Sequence, residues 1–197
     1  TGAKFLGILF NGIVAGATTN VNNNTVAAVS MTGVTSLGTT TASPFTGILL
    51  QEGNIISNGN TIGSQSLAGS LTFSTTTTSG TEIYGIHNFT SNAWTSNNNT
   101  VGGISVTNLG ASGTVLLIGI RAFTGTTVTW NATGNTVGGS VANSMQLNAT
   151  GAASQVLGMF TSNAPAVLTS NTVRNLTNNI GTGTTTTASV IGISITS

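Results

Sequence analysis

The sequence predicts an all-β fold, a parallel β-helix (solenoid) of about five coils with about 36 residues in each coil. The tripeptide Asn-Thr-Val/Ile occurs five times, at intervals of 36, 39, 36 and 36 residues. A second marker, Gly followed by Ile or Met, alternates with it along the whole chain. Abundant Val, Ile and Thr favour strands over helices. Regular repetition of such short strands is typical of a solenoid.

Each copy of the tripeptide starts with an asparagine. In stacked coils the strands pair in parallel, about 4.8 Å apart, so equivalent residues form columns along the axis. A side-chain amide both donates and accepts hydrogen bonds, so stacked asparagines can bond to one another. Asn also tolerates the left-handed backbone of a tight corner, and we therefore expect these residues at corners. The predicted Asn ladder consists of Asn24, Asn60, Asn99, Asn135 and Asn171.

The Gly-Ile/Met marker predicts a short strand, with Gly at a bend or at a close approach of two backbones. It places the coils at approximately 7–46, 47–84, 85–118, 119–157 and 158–191, within one domain over residues 1–197. Two or three strands are expected in each coil. A β-propeller is the alternative, but its blades need four antiparallel strands in a comparable length. The markers are Gly7-Ile8, Gly47-Ile48, Gly85-Ile86, Gly119-Ile120, Gly158-Met159 and Gly192-Ile193.

On these two markers, the chain resembles the right-handed parallel β-helix proteins of the pectin-lyase-like superfamily. In particular, it is similar to the Asn/Thr/Gly-rich repeat regions of bacterial surface proteins. The resemblance covers nearly the whole chain and implies a right-handed coil and a secreted, cell-surface location. It does not select a function, because this fold carries lyases, hydrolases, adhesins and passive stalks.

The composition argues against several kinds of function. The chain has no Asp and no Cys, two Glu, one His and a net charge of +1, so it cannot cluster ligands for metals or neutralise nucleic-acid phosphates. The Asp clusters implied by the resemblance to pectin-active enzymes are missing. Glu52 and Glu82 fall at different positions around their coils, which disfavours a glycosidase pair. We expect no enzyme activity, no cofactor, no bound metal and no membrane insertion.

The outward side of the Gly-Ile strand is the best candidate for ligand binding. His87, Arg121 and Phe160 occupy the same position after their Gly, together with Leu9, Leu49 and Ser194. Two residues further along, Phe89 and Phe123 extend this exposed strip. Exposed apolar strips often mark interaction sites, and aromatic rings can stack on sugars. The alternative is that loops or a neighbouring chain cover the strip.

Two further sets of residues have simpler interpretations. Trp94 and Trp130 precede their Asn corners and are expected to be partly buried packing residues. Among the Asn-x-Ser/Thr sequons, Asn88 and Asn131 are the candidates for glycosylation in a host that glycosylates.

The sequence therefore predicts a non-enzymatic extracellular structural protein, such as an adhesin shaft, a spacer or a fibre subunit. Neither end shows the polar cap that a solenoid needs. The expected partner is therefore the chain itself, by end-to-end or lateral packing, or the flanking coils of a longer chain. The first alternative is a carbohydrate-binding module that uses the Gly-Ile strip and binds surface glycans. The second is an ice-binding solenoid, disfavoured because the Thr runs 75–78 and 184–187 fall in irregular loops.

Overall fold

The computed structural model describes residues 4–11, 17–35, 38–90, 92–110, 113–123, 128–151, 153–162, 165–180 and 189–196. Within these residues the chain forms short strands and one 3-10 turn at Thr40–Ala42, and no α-helix. The strands assemble into four sheets, and all the strand pairs within these sheets are parallel.

Successive coils contribute one strand to each sheet, in the order sheet 1 to sheet 4. Sheet 1 contains β1 (Phe5–Phe10), β5 (Phe45–Leu50), β9 (Thr81–Asn88), β13 (Val115–Ala122), β17 (Gln155–Ser162) and β21 (Val190–Thr196). Sheet 2 contains β2 (Thr18–Asn20), β6 (Asn54–Asn58), β10 (Trp94–Asn97), β14 (Trp130–Thr133) and β18 (Ala166–Thr169). Sheet 3 contains β3 (Thr25–Val26), β7 (Thr61–Gly63), β11 (Thr100–Gly102), β15 (Thr136–Val137) and β19 (Thr172–Val173). Sheet 4 contains β4 (Val29–Val34), β8 (Leu71–Thr75), β12 (Ile104–Asn108), β16 (Met145–Ala149) and β20 (Leu176–Ile180).

This arrangement confirms the predicted parallel β-solenoid of about five coils, spaced about 36 residues apart. The parallel pairing is incompatible with propeller blades, whose strands are antiparallel. The expectation of two or three strands per coil was wrong, because each full coil contributes four. The fourth was missed because the strands of sheet 3 are only two or three residues long and coincide with the Asn-Thr-Val tripeptide.

One apolar core runs along the inside of the coils. The column of Ile62, Val101 and Val137 is fully buried, and these residues pair in register. The indole rings of Trp94 and Trp130 stack at 5.2 Å with an interplanar angle of 5°. Each indole N–H donates to a serine hydroxyl of the preceding coil at 3.0 Å. Both Trp side chains are fully buried rather than partly buried, since these bonds satisfy their polar atoms.

The two sequence markers meet across the interior of each coil. A Cβ atom on Gly119 would lie 2.4 Å from Cγ1 of Val137 and 2.7 Å from the carbonyl oxygen of Gly158. Gly85 faces Val101 in the same way, at 2.4 Å. Because real Cβ atoms do not approach other atoms so closely, only glycine fits at these positions. The Gly of one marker therefore makes room for the Val or Ile of the other.

Candidate functional site

The predicted Asn ladder is present as a continuous chain of hydrogen bonds. In each step, one Asn donates from its backbone N and from its side-chain Nδ2 to Oδ1 of the Asn in the next coil. Between Asn60 and Asn99 these distances are 3.0 and 2.9 Å, and between Asn99 and Asn135 they are again 3.0 and 2.9 Å. Asn99 Nδ2 also donates to the carbonyl of Ser57 at 2.8 Å. The other rungs follow the same pattern, from Asn24 to Asn171.

The left-handed residue at this corner is not the ladder Asn. It is the residue immediately before it, so the expectation that the ladder Asn adopts this conformation was wrong. Asn and Ser, which have short polar side chains, and Gly, which has no side chain, suit the positive φ angle at this position. The φ values are 57° at Asn23, 64° at Gly59, 53° at Asn98, 67° at Gly134 and 54° at Ser170.

A second set of asparagines links the coils outside the ladder. Asn22 Oδ1 accepts from the backbone N of Asn58 at 2.8 Å, and Asn58 Oδ1 accepts from the N of Asn97 at 3.1 Å. Asn97 Oδ1 accepts from Thr133 N at 3.2 Å. These residues lie two positions before the ladder Asn, and the recurring Asn-x-Asn spacing was the signal that could have revealed them.

The five residues predicted for ligand binding do come together on sheet 1. His87, Arg121 and Phe160 pair in register on β9, β13 and β17. The rings of Phe89 and Phe123 stack at 5.0 Å with an interplanar angle of 12°. With Glu82 and Tyr84 these residues form a group that we call the arginine–aromatic cluster.

Arg121 is the centre of this cluster. Its guanidinium carbon lies 5.5 Å from the ring centre of Tyr84, 5.4 Å from that of Phe123 and 5.5 Å from that of Phe160. Its Nη1 is 3.0 Å from Oε2 of Glu82 and also donates to the Tyr84 hydroxyl, which in turn donates to Glu82. Cation–π and charge-assisted contacts of this kind hold three successive coils together.

The cluster is more closed than the predicted exposed strip. His87 is 0% exposed and Arg121 6% exposed, while the three Phe side chains are partly exposed. The His87 ring stacks on Tyr84 at 4.1 Å. Burial, and secondarily the charge of Arg121, lowers the pKa of His87 to about 3. Alternation along the strand predicted the direction of this side chain but not its covering, so the expectation of an exposed His87 was wrong.

His87, Glu82 and Glu52 lie in three different settings. His87 has no hydrogen-bond partner on either ring nitrogen, and Glu82 is paired with Arg121. Glu52 is exposed and lies on a different part of its coil. Across the described ranges, no three His, Cys, Asp or Glu side chains group closely enough to hold a metal ion.

A shallow depression of about 210 Å³ lies against β6 and β10. This volume is below the range of roughly 300–1,000 Å³ that is usual for small-molecule pockets. Its lining consists of Thr18, Asn54, Ile55, Ile56, Ala93 and Thr95, none of which is ionisable.

In the part of the chain that the structure describes, no helix has the length and apolar character needed to cross a membrane.

Asn88 lies inside the solenoid. It pairs in register with Leu50 and Ala122, both of which belong to the core, and it is 0% exposed. Neither Oδ1 nor Nδ2 has a partner. The expectation that Asn88 is open to glycosylation was therefore wrong for the folded chain, whereas Asn131 is exposed.

We expect Asn88→Leu to raise the free energy of unfolding by about 1–3 kcal/mol, because it removes an unsatisfied buried amide and adds apolar contacts. Chemical denaturation measures this change. The matched control is Asn60→Leu, the same substitution at a ladder position, which should lower stability because every polar atom there is bonded. A decrease for Asn88→Leu would show that its amide has a partner inside the coil.

The outer side of sheet 4 carries two files of uncharged polar side chains, because every second residue of these strands points into the core. The first file consists of Ser30, Thr72, Ser105, Gln146 and Thr177. The second consists of Ser74, Thr107, Asn148 and Asn179. None of these side chains is buried, and we call the two files the polar wall.

Sheet 3 adds a single file of identical residues beside the polar wall. The hydroxyls of Thr61 and Thr100 are 3.1 Å apart. Of the Thr runs predicted to fall in irregular loops, 75–78 begins at the last residue of β8 and continues outside the strands, whereas 184–187 lies outside the described residues. Regular outward columns of hydroxyls therefore exist in addition to these runs. The file consists of Thr25, Thr61, Thr100, Thr136 and Thr172.

Compared with protein-family models, with curated proteins and with solved structures, the chain matches none of them.

Proposed function

We propose that this chain is a non-enzymatic structural solenoid of a cell or virion surface, serving as a shaft, a spacer or a fibre subunit. The observation that carries the proposal is the unbroken Asn ladder, accompanied by four parallel sheets along the same axis. Every coil is bonded to the next on all four sides, which favours a stiff rod.

The exterior suits such a role. Charged residues are 3% of the chain, so little like-charge repulsion opposes the packing of many copies. The arginine–aromatic cluster adds side-chain contacts between successive coils, and Glu82 neutralises the cation of Arg121 within it.

The proposed partner is another coil of the same kind, from the same chain or from a second copy. The ladder is polar, because each rung accepts through Oδ1 from the rung before it. An added coil would use the Oδ1 of Asn24 or the backbone N and Nδ2 of Asn171, which are the atoms that pair inside the ladder. Head-to-tail addition preserves this polarity, whereas head-to-head contact would oppose like groups.

We further propose that the coil is right-handed and of the pectin-lyase-like kind, as in Asn/Thr/Gly-rich bacterial surface proteins. Supporting features are the repeated Asn corner and the strong preference of parallel β crossovers for the right hand. Secretion to the surface is part of the same proposal.

Electron microscopy of the native material, together with the mass of the intact chain, tests the structural role. Fibres built from chains near 19.5 kDa would support a fibre subunit. A rod within a larger chain would support a shaft or spacer. Compact particles that contain no rod would contradict the proposal.

Carbohydrate binding is the second candidate. For the strip of His87, Phe89, Arg121, Phe123 and Phe160 it stays a prediction, and the partly exposed Phe89–Phe123 pair is the part of the strip that a sugar could reach. Loss of glycan binding in Phe89→Ala/Phe123→Ala would support that site.

A further inference from the structure

We propose that the polar wall binds a neutral polysaccharide that lies flat against sheet 4. The wall is a separate surface from the arginine–aromatic cluster, which lies on sheet 1. Its binding is also independent of whether the solenoid forms fibres.

The first argument is geometric. The strands of sheet 4 place side chains about 4.8 Å apart along the axis and about 6.6 Å apart along each strand. Pairing in register from β8 to β20 fixes these positions on a stiff backbone, and β4 joins this register as far as Met31, after which its register shifts. A surface with a regular two-dimensional spacing suits a ligand that is itself extended and regularly repeated.

The second argument is chemical. Every side chain of the wall is a hydroxyl or an amide, and each of these groups can both donate and accept hydrogen bonds. Sugar hydroxyls have the same dual character. Some wall groups are already held in place, since Thr72 Oγ1 donates to Ser30 Oγ at 2.9 Å and Asn179 Nδ2 donates to Asn148 Oδ1 at 2.8 Å. Preorganised polar groups lose less conformational freedom on binding.

The third argument concerns charge. The wall contains no ionisable residue, so an acidic polymer or an anionic membrane would find no cation to pair with there. A neutral polymer leaves no charge unpaired at the contact.

Many weak contacts repeated along one polymer chain add up to useful avidity.

Ice is disfavoured as the occupant. The wall mixes short hydroxyls with the longer amides of Gln146 and Asn148, so its surface atoms do not lie at one height. An amide side chain donates from its nitrogen and accepts at its oxygen. This suits the adjacent hydroxyls of a sugar ring better than the uniform lattice of ice.

Co-sedimentation of the full chain with insoluble cellulose, chitin and β-1,3-glucan tests the proposal. The wall variant is Ser105→Glu/Thr107→Glu on the central strand β12. The matched control is Asn131→Glu/Thr133→Glu, which places the same charges two residues apart on β14, on exposed positions of sheet 2. Circular dichroism checks that both variants fold.

We expect the wild type and the control to bind at least one of the three polysaccharides. The wall variant should bind roughly tenfold more weakly, because it loses about two hydrogen bonds and buries charge. Equal weakening in the wall variant and the control would overturn the proposal, as would absence of wild-type binding to all three probes. Loss confined to Phe89→Ala/Phe123→Ala would move the site to sheet 1. Thermal hysteresis without polysaccharide binding would assign the wall to ice.

Discussion

Replacing Asn99 with Ala is expected to lower the free energy of unfolding by about 4 kcal/mol, within the upper range for single substitutions. The Asn99 side chain is fully buried. Its Oδ1 accepts from the backbone N and Nδ2 of Asn60, and its Nδ2 donates to Ser57 O and Asn135 Oδ1. The substitution removes hydrogen bonds from Asn60 and Ser57 in the preceding coil and from Asn135 in the following coil.

Urea denaturation followed by circular dichroism measures this effect. The control is Asn98→Gly at the neighbouring residue, where the backbone is left-handed and other coils already carry Gly59 or Gly134. That substitution should change the free energy of unfolding by less than about 1 kcal/mol. Similar losses for Asn98→Gly and Asn99→Ala would mean that corner geometry, and not the ladder, provides the stability.

Stability is also expected to fall as the pH is lowered from about 6.5 towards 3. The pKa of His87 is lowered from 6.5 to about 3 in the folded chain, so the unfolded chain binds the extra proton across this interval. The contribution of the neutral, buried ring is complete above pH 6.5 and is lost progressively below it. At about 1.4 kcal/mol for each unit of pKa difference, the loss reaches about 4–5 kcal/mol near pH 3.

The measurement is urea denaturation at pH 7, 6, 5 and 4. Between pH 5 and 6.5 this signal belongs to His87, because the chain contains no other His. The matched variant is His87→Leu, since Leu49 fills the same position in the preceding coil. It should remove most of the slope above pH 5. A flat wild-type curve from pH 7 to 5 would show that the His87 ring reaches solvent.

The repeat was predictable because it depends on residues that few alternatives can replace. Gly119 and Val137 are fixed by one close contact, and Asn99 by its ladder bonds. Their recurrence gave the number of coils and the ladder. The left-handed residue could not be chosen from Asn22-Asn23-Asn24, since all three are chemically identical and only the bonds in the fold distinguish them.

The candidate sites were harder to predict. Alternation gave the side of the strand on which His87 lies, but exposure depends on neighbouring side chains such as Tyr84 and Phe89. Asn88 was predicted to be a glycosylation candidate from its sequon alone, although register places it beside Leu50 in the core. The polar wall was missed because the interval between the two markers varies, so its files are visible only after the strands are aligned in space.

The contact between Gly119 and Val137 has a consequence for how such a chain can change in length. Both partners of this contact belong to the same coil, whereas the asparagines bond from one coil to the next. A cut just before the glycine of each marker keeps the Gly–Val contact of each coil intact, and it leaves the contacts that repeat between coils, namely the ladder, the four sheets and the approach of one marker Gly to the next, to be rejoined. Tandem duplication or deletion between such points would lengthen or shorten the rod by whole coils while each coil keeps its own Gly–Val contact.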